Sequence, residues 1–161
     1  MCHYATAQVC MNGHAITGNV SNREQLSDYC SYCGAATITR CPNCQAPIRG
    51  DYIASGIFFI SEYQPPAYCF KCGAPFPWTQ ARLEAAKALA EEVIELSEDE
   101  RTLFSDSLPD IITETPRTVL AATRIARILK KLPAAIGSAM YDIFIDVVSD
   151  AAKKIIWPDA G

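Results

Sequence analysis

Between Tyr29 and Cys44 the chain reads YCSYCGAATITRCPNC, two Cys-x-x-Cys pairs with seven residues between them. Thiols at that spacing can hold a metal, run thiol–disulfide exchange, or staple a small secreted domain. Two further turns complete the set: Cys10-Met-Asn-Gly-His14 upstream and Cys69-Phe-Lys-Cys72 downstream. A structural zinc needs four ligands in a tetrahedron, and two short turns giving two ligand atoms each supply them at little entropic cost. Gly34 and Gly73 directly follow the second cysteine of their pairs, where such a turn often requires positive φ. The candidate ligands are Cys10, His14, Cys30, Cys33, Cys41, Cys44, Cys69 and Cys72, enough for two structural Zn2+ ions.

The other thiol chemistries fit less well. A redox reading of CPNC calls for a βαβ context that the surrounding sequence does not offer. A disulfide framework calls for an oxidising compartment, and the opening MCHYATAQVC has neither a basic n-region nor a long apolar stretch. A cytoplasmic protein is expected. Partnering of the turns follows from an internal repeat. YCSYCGA (29–35) and YCFKCGA (68–74) match at Tyr, both Cys, Gly and Ala, and each is preceded by a looser echo, CMNGHAITG and CPNCQAPIRG. Two copies of one unit, 10–35 and 41–74, favour sequential sites: Cys10, His14, Cys30 and Cys33 on one zinc, Cys41, Cys44, Cys69 and Cys72 on the other. The rival is an interleaved cross-brace. Its usual central spacing is shorter than the seven residues between Cys33 and Cys41.

Such sites are closed, whereas a catalytic zinc keeps a position open for water. No H-E-x-x-H, G-x-S-x-G or phosphate-binding glycine loop occurs. No catalytic residues are assigned, and an enzyme is not expected. Cys2 and His3 are left over; neither copy of the repeat has a vacancy for them, so frayed terminal residues are expected.

The elements that must position these turns are of two kinds, and an α+β chain follows: tandem zinc ribbons over 1–76, then a helical bundle over 77–161. All eight cysteines and both histidines precede position 75. The segment YIASGIFFISEYQPPAY suggests a β-hairpin with a strand at Ile57–Ile60. Beyond PFPW the period becomes helical. Thr79 is placed to cap a helix to about Leu96, with Leu83, Ala86, Leu89, Ala90, Val93 and Ile94 on one face. Ser97 and Glu100 form a capping-box signature opening an acidic helix that Pro109 would end. A helix over 116–132 starts with Pro116 at N1, and sets Arg117, Arg124, Arg127, Lys130 and Lys131 against Val119, Ala122, Ile125, Ala126 and Leu129. After a break near Pro133 a last helix runs to about Ile156, with Asp142, Asp146, Asp150 and Lys153 as its narrow polar strip. So wide an apolar stripe suits a central bundle helix, or one that meets a second copy or another protein. The basic face has three candidate partners: the aspartate strip, the acidic 95–114 segment, or anionic lipid.

The chain resembles an uncharacterised bacterial double-zinc-ribbon family, a domain of unknown function. The resemblance rests on AQVCMNGHAIT, YCSYCGAATITRCPNCQAPIRG, PPAYCFKCGAPFPWT and AAKKIIW, and covers nearly the whole chain. It implies metal-binding ribbons followed by helices and brings no assigned activity.

Charge ranks the possible partners. Arg23, Arg40, Arg49 and Lys71 balance Glu24, Asp28, Asp51 and Glu62, so the ribbon half is formally neutral and the net −4 lies in the helical half. Seven thiolates and two dications would leave the loaded ribbons at about −3, whereas phosphate recognition needs clustered Lys and Arg. The aromatics Tyr29, Tyr32, Tyr52, Phe58, Phe59, Tyr63, Tyr68 and Phe70 read as ribbon packing. A non-catalytic adaptor with a protein partner, or a homo-oligomer through the C-terminal helices, is therefore expected first. A nucleic-acid-binding regulator ranks below it, as does a membrane-active effector using 116–156, since no apolar stretch approaches the length of a spanning helix.

Overall fold

The computed structural model describes residues 3–54, 62–145 and 147–158. The chain divides into two units, Met1–Ala81 and Arg82–Gly161.

In the first unit the strands are short because metal turns interrupt them. They are β1 (His3–Thr6), β2 (Gln8–Cys10), β3 (Ala15–Thr17), β4 (Thr37–Ile38) and β5 (Arg49–Ile53). β1 pairs antiparallel with β5, and β2 lies between β3 and β4. Buried Gln8 fixes the second sheet: its amide donates to the Ser27 carbonyl (2.9 Å) and to Thr37 Oγ1 (2.8 Å), and it accepts from the Ser27 amide (3.2 Å). Such full satisfaction is what a polar side chain needs when water is excluded. One core cluster joins Ala7, Val9, Ala46, Ile48, Phe76 and Trp78 to Cys41 and Cys69. Trp78 stacks on Phe76 at 4.6 Å and donates from Nε1 to the Pro66 carbonyl (3.0 Å).

His3 is not frayed: it opens β1 opposite Ile53. Cys2 and the strand expected at Ile57–Ile60 lie outside the described residues.

Among the described residues five helices follow: α1 (Pro77–Glu91), α2 (Glu98–Ile112), α3 (Thr118–Leu129), α4 (Ala134–Phe144) and α5 (Asp150–Ile156). Thr79 does not cap α1. Its hydroxyl donates to the Ala67 carbonyl (2.8 Å), and the helix already begins at Pro77. Nor does α1 reach Leu96. The chain turns so that Val93 and Leu96 are buried while Ile94 is left 91 % exposed, and Arg101 Nη2 satisfies the Val93 carbonyl at 2.8 Å. The capping box of α2 is present, with Ser97 Oγ accepting from the Glu100 amide and Glu100 accepting from the Ser97 amide.

Pro109 lies inside α2 rather than ending it. One intrahelical hydrogen bond is lost there, but continuing the helix buries Ile111 and Ile112, and the Ser149 amide takes up the Ile111 carbonyl (2.9 Å). α3 starts two residues beyond Pro116, after a turn in which the Thr118 hydroxyl donates to the Thr113 carbonyl (2.8 Å). Its buried stripe is Thr118, Ala121, Ala122, Ile125 and Ile128, so Val119 faces outward. The expected last helix is two. The Phe144 carbonyl accepts from both Val147 and Val148, and the Ser149 side chain caps α5. The break lets Met140, Phe144, Val147, Val148, Ala152 and Ile156 all be buried, which one straight helix with an over-wide stripe could not achieve.

The basic side of α3 is neutralised in part by α2: Arg117 pairs with Asp110 (3.1 Å) and Lys131 with Glu100. α4 is not a central helix, because only Met140 and Phe144 of it are buried. Gly137 stands in its interior without positive φ, and a Cβ there would meet nothing within 4 Å. Alanine would fit that site and favour the helix by about 1 kcal/mol. Among the described residues no helix is long and apolar enough to cross a membrane.

Candidate metal centres

Each Cys-x-x-Cys turn is built by the same local bonds. One antiparallel bridge closes it, Tyr29 to Ala36, Arg40 to Pro47 and Tyr68 to Pro75. Inside the bridge the first cysteine's amide donates to the alanine five residues on: Cys30 to Ala35, Cys41 to Ala46 and Cys69 to Ala74. The residue after the second cysteine then lies at positive φ, 70° for Gly34 and for Gly73, and 60° for Gln45. The glycines were legible in the sequence. Gln45 is a side chain in a region that L-residues avoid, held by its own amide donating to the Cys41 carbonyl (2.9 Å) and its carbonyl accepting from Arg40 Nη1 (3.0 Å). The first turn differs. Gly13 at φ 91° brings His14 back to the Cys10 sulfur, and a Cβ on Gly13 would lie 2.8 Å from the Trp78 Cβ.

These turns gather two tetrads, Cys10, His14, Cys30 and Cys33, and Cys41, Cys44, Cys69 and Cys72. In each, all four ligand atoms lie within 4.8 Å of one another. The pairing is sequential, not cross-braced. The seven described cysteines are all free thiols. Distances decide between cross-linking and coordination. A disulfide would place sulfurs about 2.05 Å apart. A tetrahedral zinc with its usual bond lengths spaces S···S edges at about 3.8 Å and N···S edges at about 3.6 Å. Cys10–Cys33 and Cys41–Cys72 are each 3.8 Å, and Cys44–Cys69 is 3.6 Å. His14 Nδ1 lies 3.4 Å from Cys10 Sγ and 3.6 Å from Cys30 Sγ. The tetrads have the dimensions of two structural zinc sites.

Hydrogen-bond donors surround the sulfurs. The backbone amides of Ala35, Ala46 and Ala74 donate to the second sulfur of their turns. Two side chains not identified from the sequence add to them. Asn12 Nδ2 donates to Cys33 Sγ (3.4 Å), and Asn43 Nδ2 to Cys72 Sγ (3.5 Å). They are equivalent positions of the two copies, the third residue of CMN and of CPN. That coincidence was the available signal. The Ala35 amide leads in bringing the Cys33 thiol down to about 6, and Asn43 leads in bringing Cys72 to about 6. Cys69 is shifted down as well, whereas Cys10 and Cys44 go the other way. Burial pushes Cys10 up. At Cys44 the Ala46 amide pulls down, but desolvation and the three neighbouring sulfurs prevail and push it up to about 12. Gathering four such ligands sets thiolate against thiolate, as the rise at Cys44 shows. A dication resolves that repulsion by expelling the remaining protons, so zinc affinity falls as pH falls.

Outer-shell donors of this kind are typically worth about 10–100-fold in metal affinity. Asn43→Ala should weaken the all-cysteine site by a factor in that range and leave the histidine-containing site at its original affinity. Competition with a chromophoric chelator resolves the two equivalents, and Asn12→Ala should give the mirror result.

A family model described as "Uncharacterized protein conserved in bacteria (DUF2321)" matches residues 3–156. No curated protein and no solved structure matches the chain.

Proposed function

Because the chain belongs to this family of conserved bacterial proteins, whose description assigns no activity, we propose from geometry alone a non-catalytic, zinc-stabilised adaptor. The ribbon unit would present a surface to another protein, and the helical unit would serve as a docking or self-association platform. The observation that carries this reading is that three aromatics of the knuckles point outward while Tyr68 is half-buried. Tyr29 is 67 % exposed, Tyr32 83 % and Phe70 50 %, although a ribbon with so small a core would gain by burying them. Arg49 lies over the Phe70 ring at 4.2 Å and the Tyr4 ring at 4.8 Å, and Tyr4 stands 5.1 Å from Tyr52. Exposed Tyr, Phe and Arg on a rigid support are the residue types that anchor protein interfaces.

Closed tetrads support the non-catalytic part, since four ligands leave a zinc no position for water. Reduced thiols favour the cytoplasm as the place of action. Protein ranks above nucleic acid because the ribbon half has only four Lys and Arg residues, spread along it.

The test compares affinity enrichment from the native host by the zinc-loaded chain and by Tyr32→Ser/Phe70→Ser carrying the same two zinc ions. At least one protein should be enriched tenfold or more by the parent and lost from the variant. Identical enrichment by both, or filter retention of DNA or RNA that weakens steeply with salt, would rule the adaptor reading out.

A further inference from the structure

Within the helical unit an open groove of about 390 Å3 runs between α3, α4 and the end of α5. That volume is at the small end of the range typical of ligand sites, about 300–1,000 Å3. Leu129 and Ile156 line it with aliphatic carbon, while Tyr141 and Trp157 meet edge to face at 5.2 Å along its side. Gly137 forms part of the lining, and it is the helix-interior glycine that neither backbone conformation nor close contact requires. A side chain there would project into open space, so the missing Cβ keeps the groove clear.

Lys130 is the charged residue of the lining, and no carboxylate lines the groove among the described residues. Two other cations of this basic segment, Arg117 and Lys131, are paired with acids of α2, whereas Lys130 forms no ion pair among the described residues. An apolar trough with an aromatic wall and, at its rim, one ammonium without an ion pair among the described residues matches a ligand with an apolar body and a single negative head. We infer that the groove binds one small carboxylate amphiphile, its chain over Gly137 against Tyr141 and Trp157 and its carboxylate at Lys130. This goes beyond the adaptor reading and does not rest on it.

The zinc-loaded full chain is titrated calorimetrically with decanoate below its micellar concentration, with decyltrimethylammonium as the matched cation. Saturable one-to-one binding of decanoate is expected, at least tenfold tighter than that of the cation. Lys130→Glu should weaken it at least tenfold. Gly137→Leu fills the groove from a position where its Cβ meets no atom, and should abolish binding with zinc content and thermal unfolding retained. Three results would overturn the inference: no saturable heat with decanoate, equal binding of the cation, or parental affinity in Lys130→Glu. Sedimentation with anionic phospholipid vesicles without uptake of free decanoate would do so as well, by moving the recognition to a membrane surface.

Discussion

A strong chelator should remove two zinc ions per chain and unfold the ribbon unit, while the helical unit keeps its far-ultraviolet signal. The ribbon strands are two to five residues long, and its core cluster includes two of the candidate ligands, Cys41 and Cys69. Structural zinc sites contribute about 10–16 kcal/mol of apparent binding free energy, comparable with the whole stability of an ordinary domain, about 5–15 kcal/mol. The helical unit contains neither tetrad, and its interior is built from Phe104, Leu108, Ile111, Ile125, Met140 and Phe144. The two tryptophans separate the outcomes. Trp78 belongs to the ribbon core and should lose its near-ultraviolet signal on chelation; Trp157 packs at 5.2 Å on Tyr141 and should keep its own.

Acid should act in the same direction. Cys33 and Cys72 are held at about 6, below an ordinary thiol. Their stabilising contribution is complete above the ordinary thiol value and is lost as pH falls through about 6. Because zinc binds the thiolate form, protons compete with the metal for every cysteine, and zinc should be released in acid. A ribbon unit still folded after both metals are gone would overturn the metal assignment.

The second large effect is a contrast between two cysteine variants. Cys33→Ser removes an exposed sulfur at the edge of the first tetrad, and should cost one zinc equivalent and leave the second bound. Cys41→Ser removes a buried sulfur that belongs to the same cluster as Val9, the residue before Cys10 on β2, and as Ile48 and Trp78. A hydroxyl there loses a ligand and places an unpaired polar group in the core, which typically costs about 1–3 kcal/mol beyond the lost metal bond. Cys41→Ser should thus weaken the histidine-containing site as well, and chelator competition should find less than one tightly held equivalent. One equivalent held at parental affinity would mean that the two sites are energetically independent.

The metal chemistry was legible because it is written in residue types at fixed spacing, and the duplication of YC-x-x-CGA also pointed to the partners of each turn. The capping box at Ser97 and Glu100 and the break at Pro133 were legible for the same reason, since each depends on a few adjacent residues. Pro109 misled because its local cost is outweighed by burying Ile111 and Ile112, a tertiary gain that no short window contains. The split between α4 and α5 has a similar origin: the stripe from Ile136 to Ile156 signalled too much apolar surface without saying where the chain would bend. Tyr29 and Tyr32 were read as packing and lie on the surface instead, because composition cannot tell a core aromatic from a displayed one. Asn12 and Asn43 could have been found by carrying the repeat comparison one residue further.

The stacking of Trp78 on Phe76 bears on where this protein can be cut. A fragment ending at Phe76 would keep every candidate zinc ligand yet lose the indole that stacks on Phe76 and the hydroxyl of Thr79 that holds Ala67. The shortest ribbon piece able to survive excision therefore extends through the opening turn of α1. Trimming at the last cysteine's loop would leave a hole where the tryptophan had been.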